Sequence, residues 1–322
     1  MAAAIRAFDR AESMGASADR CSGGRWMASA LQGDFDGAWK ESDSLRHRDA
    51  PDPHRFWNGE DIRGKRLIVR SLHGLGDAVQ MLRYAPLLGQ LAASVVYEVA
   101  PQLLPLAPFF RGVLKVCSWG LEASIDPPEW DIQVEVMELP YLFRTTLKEL
   151  PVATGYLEVP TEFVQRAGFC MGGCDKPRIG LVWSGGDWNA SRSIPFDLLR
   201  SVLSQSSFEF WNLQNGPVML EANGTGIRSA TTLCGDGILA LAATMVHLDL
   251  IITVDTLAAH LAGALGKPAW VILQHAADWR WMTKRTDSPW YPTLRLFRQP
   301  RPGDWMSVVE SLSEELRVHG AR

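Results

Sequence analysis

A chain of 322 residues with 36 Asp and Glu against 32 Lys and Arg, a net charge of -4 and 47% apolar residues is long enough for two ordinary domains and too apolar to be disordered. The acidic balance weighs against nucleic acid as a partner, while leaving room for a small basic patch. Five cysteines, odd in number and without C-x-x-C spacing, suggest neither a disulfide framework nor a zinc site and point to a reducing, cytoplasmic home.

The first residues, Met1 to Met14, place Arg6, Asp9, Arg10 and Glu12 where a signal peptide needs an unbroken apolar run, so no secretion signal is expected. Trp26, Ala30, Leu31, Gly33, Asp34, Phe35, Ala38 and Trp39 then predict a helix, a tight turn at Gly33-Asp34 and a second helix, similar to one tetratricopeptide unit. One such unit cannot bury its own apolar face, so it must pack on the body of the protein or on a protein partner.

From Lys65 the chain alternates β-rich and helical runs, the pattern of parallel sheets covered by helices. In the first half, strands are expected at Arg66 to Arg70, Ser94 to Val99, Val113 to Cys117 and Ile132 to Met137, with helices at Ala78 to Leu91 and Gln102 to Phe110. The glycine- and cysteine-containing stretch from Arg166 to Lys176 reads as a linker. A second set follows: strand Arg178 to Trp183, helix Phe196 to Leu203, strand Glu209 to Leu213, helix Ile238 to His247, strand Leu250 to Val254, helix Leu257 to Leu265 and strand Ala269 to Leu273. Ser193 before Pro195 suits a helix cap, and Gly266 suits a helix end. Val308, Val309, Leu312 and Leu316 share one face of a closing helix over Trp305 to Val318. The most apolar stretch, Leu248 to Leu273, is interrupted by Asp249, Asp255, His260 and Lys267, which excludes a transmembrane segment and suits buried strands around a helix in a soluble protein. The expected divisions are a helical extension over 1–60, an α/β domain over 61–165, a linker over 166–176, a second α/β domain over 177–300 and a closing helix over 301–322.

Chemistry-bearing residues gather at strand ends. The first strand runs through His73-Gly74-Leu75-Gly76-Asp77 into a helix, so Gly74 and Gly76 permit close backbone approach to a ligand. Val79 stands where a dinucleotide fingerprint needs a small residue, and no Gly-Lys-Ser/Thr follows, which disfavours dehydrogenases and P-loop ATPases. From spacing alone Asp77 either caps its helix or performs catalysis.

Gly74-Leu75-Gly76-Asp77-Ala78-Val79-Gln80-Met81-Leu82-Arg83-Tyr84 resembles the first-strand loop of heptosyltransferase-like glycosyltransferases of family 9, in particular bacterial members linked to tetratricopeptide repeats. The resemblance extends through Val182 to Gly185, Arg192 to Pro195, Leu213-Gln214, Asp249 to Thr256, Ala259 to Pro268, Asp278-Trp279-Arg280-Trp281 and Asp287 to Pro292. It implies a GT-B fold, two Rossmann-like domains facing across a cleft, with a nucleoside-diphosphate sugar donor, inversion at the anomeric carbon, and neither metal nor cofactor. It assigns the catalytic base to Asp77.

The strand ending at Val254 delivers Asp255 and Thr256 to the start of the helix carrying His260, at the sheet edge where open α/β folds bind ligands. Thr256 and the N–H groups after it are candidates to hold the diphosphate. His260 is either a satisfied interior histidine or a ligand to diphosphate or sugar, and the motif favours the second. Ser184, Gly185 and Gly186 end another strand at the same edge, with Arg192 as diphosphate clamp or solvated arginine. Main-chain groups near Gln214 suit the nucleotide base, although a surface turn explains them as well. Trp279 and Trp281 are candidates to stack on sugar or acceptor, and Trp290 and Tyr291 share that chemistry, while most tryptophans pack, wedging the last helix against the cleft. The segment Gly186-Asp187-Trp188-Asn189-Ala190-Ser191 departs from the family pattern.

The leading expectation is a glycosyltransferase acting on a hydroxyl of a glycan, lipid-linked glycan or protein. A catalytically reduced nucleotide-sugar-binding or scaffold protein is the alternative, and a nucleotide-sugar epimerase has no residues of its own to support it.

Overall fold

A computed structural model describes residues 1–48, 56–119, 130–151 and 154–320. Three helices come first: α1 (Ala2–Ser13), α2 (Ala18–Ala30) and α3 (Phe35–Arg48). The turn between the last two is the expected one. Gly33 takes the left-handed φ of 78° that a side chain would resist, and the Asp34 carboxylate accepts from the Gly37 N–H at 3.0 Å. Arg25 binds Asp9, Glu12 and Glu41 and so ties the three helices together.

The first α/β unit contains β1 (Arg66–Arg70), α4 (Leu75–Met81), α5 (Ala85–Leu91), β2 (Ser94–Val99), β3 (Val116–Ser118), β4 (Ile132–Glu135) and α6 (Leu139–Leu142), with parallel strand order β3-β2-β1-β4. Helix α7 (Thr161–Met171) follows. The second unit contains β5 (Arg178–Val182), α8 (Arg200–Leu203), β6 (Glu209–Asn212), β7 (Arg228–Ser229), α9 (Ala230–Cys234), α10 (Ile238–Val246), β8 (Leu250–Val254), α11 (Leu257–Leu265), β9 (Ala269–Leu273), β10 (Leu294–Arg298) and α12 (Trp305–Gly320). Its six parallel strands run β10-β9-β8-β5-β6-β7. Every residue of β8 and β9 is buried, which is why those strands read as unbroken apolar runs. The fold is GT-B, two Rossmann-like units with a helical extension. No helix among the described residues is long and apolar enough to cross a membrane.

Several expected elements differ. The helix expected over Gln102 to Phe110 is two short 3-10 turns, Pro101–Leu103 and Ala107–Phe109, because Pro105 and Pro108 lack the N–H groups a helix would need. The one expected from Ala78 starts at Leu75 and is interrupted by a 3-10 turn, Leu82–Tyr84, before Pro86 opens α5. The first half of the stretch read as a linker is helical in α7, which packs on α9 and α10, and the chain leaves that helix at Gly172 with φ 69°. Ser193 caps no helix. Its hydroxyl accepts from the Gly185 N–H at 3.0 Å instead, in the loop after β5. Two-residue β7, and β10 with arginines at two of its five positions, gave no strand signal strong enough to read.

The aromatic cluster does not wedge the last helix. Helix α12 buries Trp305, Val308, Val309, Leu312 and Leu316 on the far face of the second sheet. Trp279 and Trp290 instead receive the extension: Trp26 meets Trp279 edge-on with centroids 5.5 Å apart, and Phe35 lies 5.9 Å from Trp279 and 5.7 Å from Trp290. The Leu31 carbonyl accepts from the Thr283 N–H at 2.9 Å. Toward the first unit, Trp39 Nε1 donates to the Thr145 carbonyl at 2.8 Å, and Asp43 accepts from Tyr141 and Arg144. The extension therefore packs on both units at once. Because Phe35 is 2% exposed within this shared core, Phe35→Ala should lower the stability of the whole chain by about 3–5 kcal/mol in urea unfolding. A loss under about 1 kcal/mol would place the extension outside the cooperative unit.

Candidate functional site

The two sheets point their carboxyl edges at a common cleft of about 910 Å³. From the first unit it is lined by His73, Gly74, Leu75, Gly76, Asp77 and Met137, and from the extension by Met27. The second unit contributes Ser184, Gly185, Arg192, Gln214, Asp255, Thr256, His260, Trp279 and Arg280 among others. The residues proposed from sequence thus meet on one wall or the other, except Trp281, Trp290 and Tyr291, which are buried and do not line the cleft. Trp281, 1% exposed, lies behind His260 with ring centroids 5.6 Å apart. The side chains of Asp187 and Trp188, in the loop that departs from the family pattern, lie outside the described residues.

Asp77 caps its helix and also faces the cleft. Its Oδ2 accepts from the Gly74 N–H at 3.0 Å, a cap on α4, while its Oδ1 crosses the cleft to Arg280 Nη2 at 2.5 Å. Arg280 also donates from Nη1 to Asp278 at 2.8 Å and stands 5.1 Å over the Trp279 ring. No role for Arg280 follows from sequence beyond membership of its motif. The signal available was a charged pair, Asp278 and Arg280, inside an aromatic run.

Helices α4 and α11 touch. A Cβ at Gly76 would stand 2.7 Å from His260 Cδ2, so only glycine allows this approach. His260 Nδ1 lies 3.0 Å from Tyr291 Oη, which lies 3.3 Å from Tyr156 Oη. Burial, reinforced by the cations of Arg280, Arg83 and Arg192, holds the His260 pKa well below 6.5, so the imidazole is neutral at pH 7.

The loops after β5, β6 and β8 are cross-tied. The Gln214 side chain accepts from the Trp183 and Ser184 N–H groups at 3.1 and 3.0 Å and donates to the Ser184 carbonyl at 3.1 Å. Its own N–H goes to Asn212 at 2.8 Å, so Gln214 braces the wall and Asn215 continues it along the cleft. Arg192 Nη1 donates to the Asp255 carbonyl at 2.9 Å, and its guanidinium stands over Gly185 beside Thr256. The Thr256 hydroxyl caps α11 by accepting from the Ala258 N–H at 3.3 Å.

No protein-family model matches the sequence. Protein FlbA of Caulobacter vibrioides is 26% identical over 306 residues, covering 82% of this chain and 48% of FlbA. The chain thus spans about half the length of that curated relative. Among solved structures, the glycosyl transferase family 9 protein from Veillonella parvula is similar at a TM-score of 0.57 and 14% identity, covering 82% of this chain and 98% of that one. The E. coli ADP-heptose lps heptosyltransferase II follows at 0.54 and 12%, covering 78% and 99%. At these identities the likeness is one of fold, and that fold is GT-B.

Burial, reinforced by the charge of Asp278, pushes the Asp255 carboxyl from 3.8 up to about 6, against the opposing pull of Trp281, Arg192 and Arg280. The Trp281 N–H exerts that pull without a hydrogen bond of ordinary geometry. Raising a carboxyl pKa on folding means that the native state holds its proton longer than the unfolded one. The contribution of Asp255 to stability therefore falls as pH rises from about 4 to about 6, by ~3 kcal/mol for a shift of about two units, and is then level. Asp255→Asn has no such dependence. Relative to wild type it should gain stability across that window in denaturant unfolding at pH 4 and pH 7, and equal differences at both pH values would refute the raised pKa.

Proposed function

We propose that the chain transfers a sugar from a nucleoside-diphosphate sugar to a hydroxyl of a glycan, lipid-linked glycan or protein, with inversion and without a metal. The observation that carries this reading is convergence. Gly74, Gly76 and Asp77 come from one sheet edge, Ser184, Gly185, Arg192, Gln214, Asp255, Thr256 and His260 from the other, and both line one cleft. The GT-B fold shared with family 9 structures, one of them named for ADP-heptose, supports the donor class.

In this reading the diphosphate lies at the N-terminus of α11, where the helix dipole and the Arg192 guanidinium stabilise the charge that builds up as it leaves. Neutral His260 has no charge with which to trap the departing group and offers a hydrogen bond only. Asp77 takes the proton of the acceptor hydroxyl while that oxygen bonds to the anomeric carbon. The anomeric C–O bond to phosphate breaks on the opposite face, and its electron pair leaves with the nucleoside diphosphate. Trp279 is proposed to offer its edge to sugar or acceptor, because Arg280 covers its face. A protein partner is proposed to meet α1, none of whose residues is buried.

A second reading, a nucleotide-sugar binder with little turnover, is favoured by one observation: both oxygens of Asp77 already accept hydrogen bonds.

Two measurements decide between them. A thermal-shift panel of ADP, GDP, UDP and CDP, with and without EDTA, should show stabilisation by one diphosphate, about 2.7 kcal/mol at a hundredfold over its Kd, unaffected by EDTA. No shift with any of the four would end the donor-site reading. With the donor so identified, Asp77→Asn should lower kcat by ~10²–10⁴ without weakening donor binding. Near-normal turnover in that variant would remove Asp77 as base, and no turnover in wild type with any hydroxyl acceptor would favour the binder.

A further inference from the structure

Among the described residues that line the cleft, two arginines, Arg192 and Arg280, face three carboxylates, Asp77, Asp255 and Asp278. Arg280 is already shared between Asp77 and Asp278, so a diphosphate that binds it cannot simply add to the site. One of those partnerships has to give way.

Asp278 is tied to Arg280 from two residues away. Its Oδ1 accepts from both the Arg280 backbone N–H at 3.0 Å and Nη1 at 2.8 Å, which fixes it on the same turn. Asp77 is different. It reaches Arg280 from the other unit, across 203 residues of sequence, its side chain is 25% exposed, and its second oxygen is anchored independently on Gly74. Only the Asp77 contact can be broken by a small change in lobe separation or a turn of one side chain, without dismantling local structure.

We propose that Arg280 is a diphosphate-binding residue and that its capture by the donor unpairs Asp77, so that the base is released only when a donor is in place. This rests on the donor-site reading above. In the empty cleft both oxygens of Asp77 are taken up by donors, Gly74 on one and Arg280 on the other, so neither is open to an acceptor hydroxyl. With the diphosphate on Arg280, the Asp77 Oδ1 faces the cleft and Gly74 keeps the carboxylate in position. The same exchange makes the acid a competitor of the donor for one guanidinium, which gives the proposal an unusual signature: removing the supposed base must tighten donor binding.

The test is a double-mutant cycle read by isothermal titration with whichever of ADP, GDP, UDP or CDP stabilises wild type. Asp77→Asn, which keeps an acceptor for the Gly74 N–H, should tighten binding by ~5-fold or more, and Arg280→Gln should weaken it by ~10-fold or more. In the Arg280→Gln background, Asp77→Asn should change affinity by less than ~2-fold, since the competition has lost its object. Equal tightening in both backgrounds would mean that Asp77 repels the diphosphate through space, and no tightening in either would mean that the two never compete; each overturns the proposal. Where Arg280→Gln does not fold, a crystal structure of the wild-type complex decides. A diphosphate oxygen on Arg280 with Asp77 detached supports the exchange, and an intact Asp77–Arg280 pair beside bound diphosphate refutes it. Wild type that binds none of the four diphosphates is a failure of the donor-site reading itself and takes this inference with it.

Discussion

The contact of α4 with α11 fixes the geometry on which everything else in the cleft depends. At its front Gly76 lies against His260, closer than any side chain would allow. Behind it Arg83, with 0% exposure, donates to the carbonyls of Gln80 and Trp290 and to the Tyr156 hydroxyl, and stands 5.2, 5.3 and 4.6 Å over the rings of Tyr156, Trp290 and Tyr291. A cation taken out of water without a carboxylate at its hydrogen-bonding atoms is expensive. Carbonyl dipoles and aromatic faces recover that cost only while both units stay together, since Arg83 belongs to the first and Trp290 and Tyr291 to the second. The seam is therefore a specificity device as much as a stabilising one. Separation at this point would leave a bare guanidinium on one side and a neutral histidine and phenol on the other.

With the back of the cleft pinned in this way, the charges at its front are held in conflict. The charge of Asp278 adds to the cost of ionising Asp255, and the two guanidinium groups that relieve it, Arg192 after β5 and Arg280 after β9, come from the strands on either side of β8. Protonation of Asp255 near pH 6 relaxes this conflict, and so does movement of Asp77. A site of this kind is less stable than a neutral one, and in return it responds to an incoming anion, because the groups that bind the anion are those whose internal partners are the least secure.

The second sheet was the legible part. Strands β8 and β9 and helix α11 begin and end where the sequence puts them, since each is a mostly apolar run between strong boundaries, Thr256 at one helix end and Gly266, with its left-handed φ of 74°, at the other. The first sheet was harder. Pro105 and Pro108 look tolerable in a window of helix formers, and only the missing N–H groups reveal the short turns. Ser193 and Gln214 have residue types that suit a cap and a turn, yet both are used to tie neighbouring loops, because the loop ends of a parallel sheet converge and leave main-chain groups that need partners. Which residues line the cleft was visible strand by strand. That Asp77 faces Arg280 was not, as nothing in a sequence marks an ion pair 203 residues apart.

The extension changes how this pairing should be understood. Trp26 of α2 presents its edge to Trp279, Trp279 lies beneath Arg280, and Arg280 holds Asp77. Each link is a direct contact, so the helical extension and the cleft share a continuous packed path through the 3-10 turn Trp279–Trp281. Met27, one residue on from Trp26, lines the cleft itself. Packing of this density transmits displacement instead of absorbing it. A shift of α2 by a fraction of an ångström would bear on the aromatic ring over which the guanidinium stands. The extension is for that reason part of the wall of the site, and the identity of whatever occupies its outer surface becomes a question about the cleft.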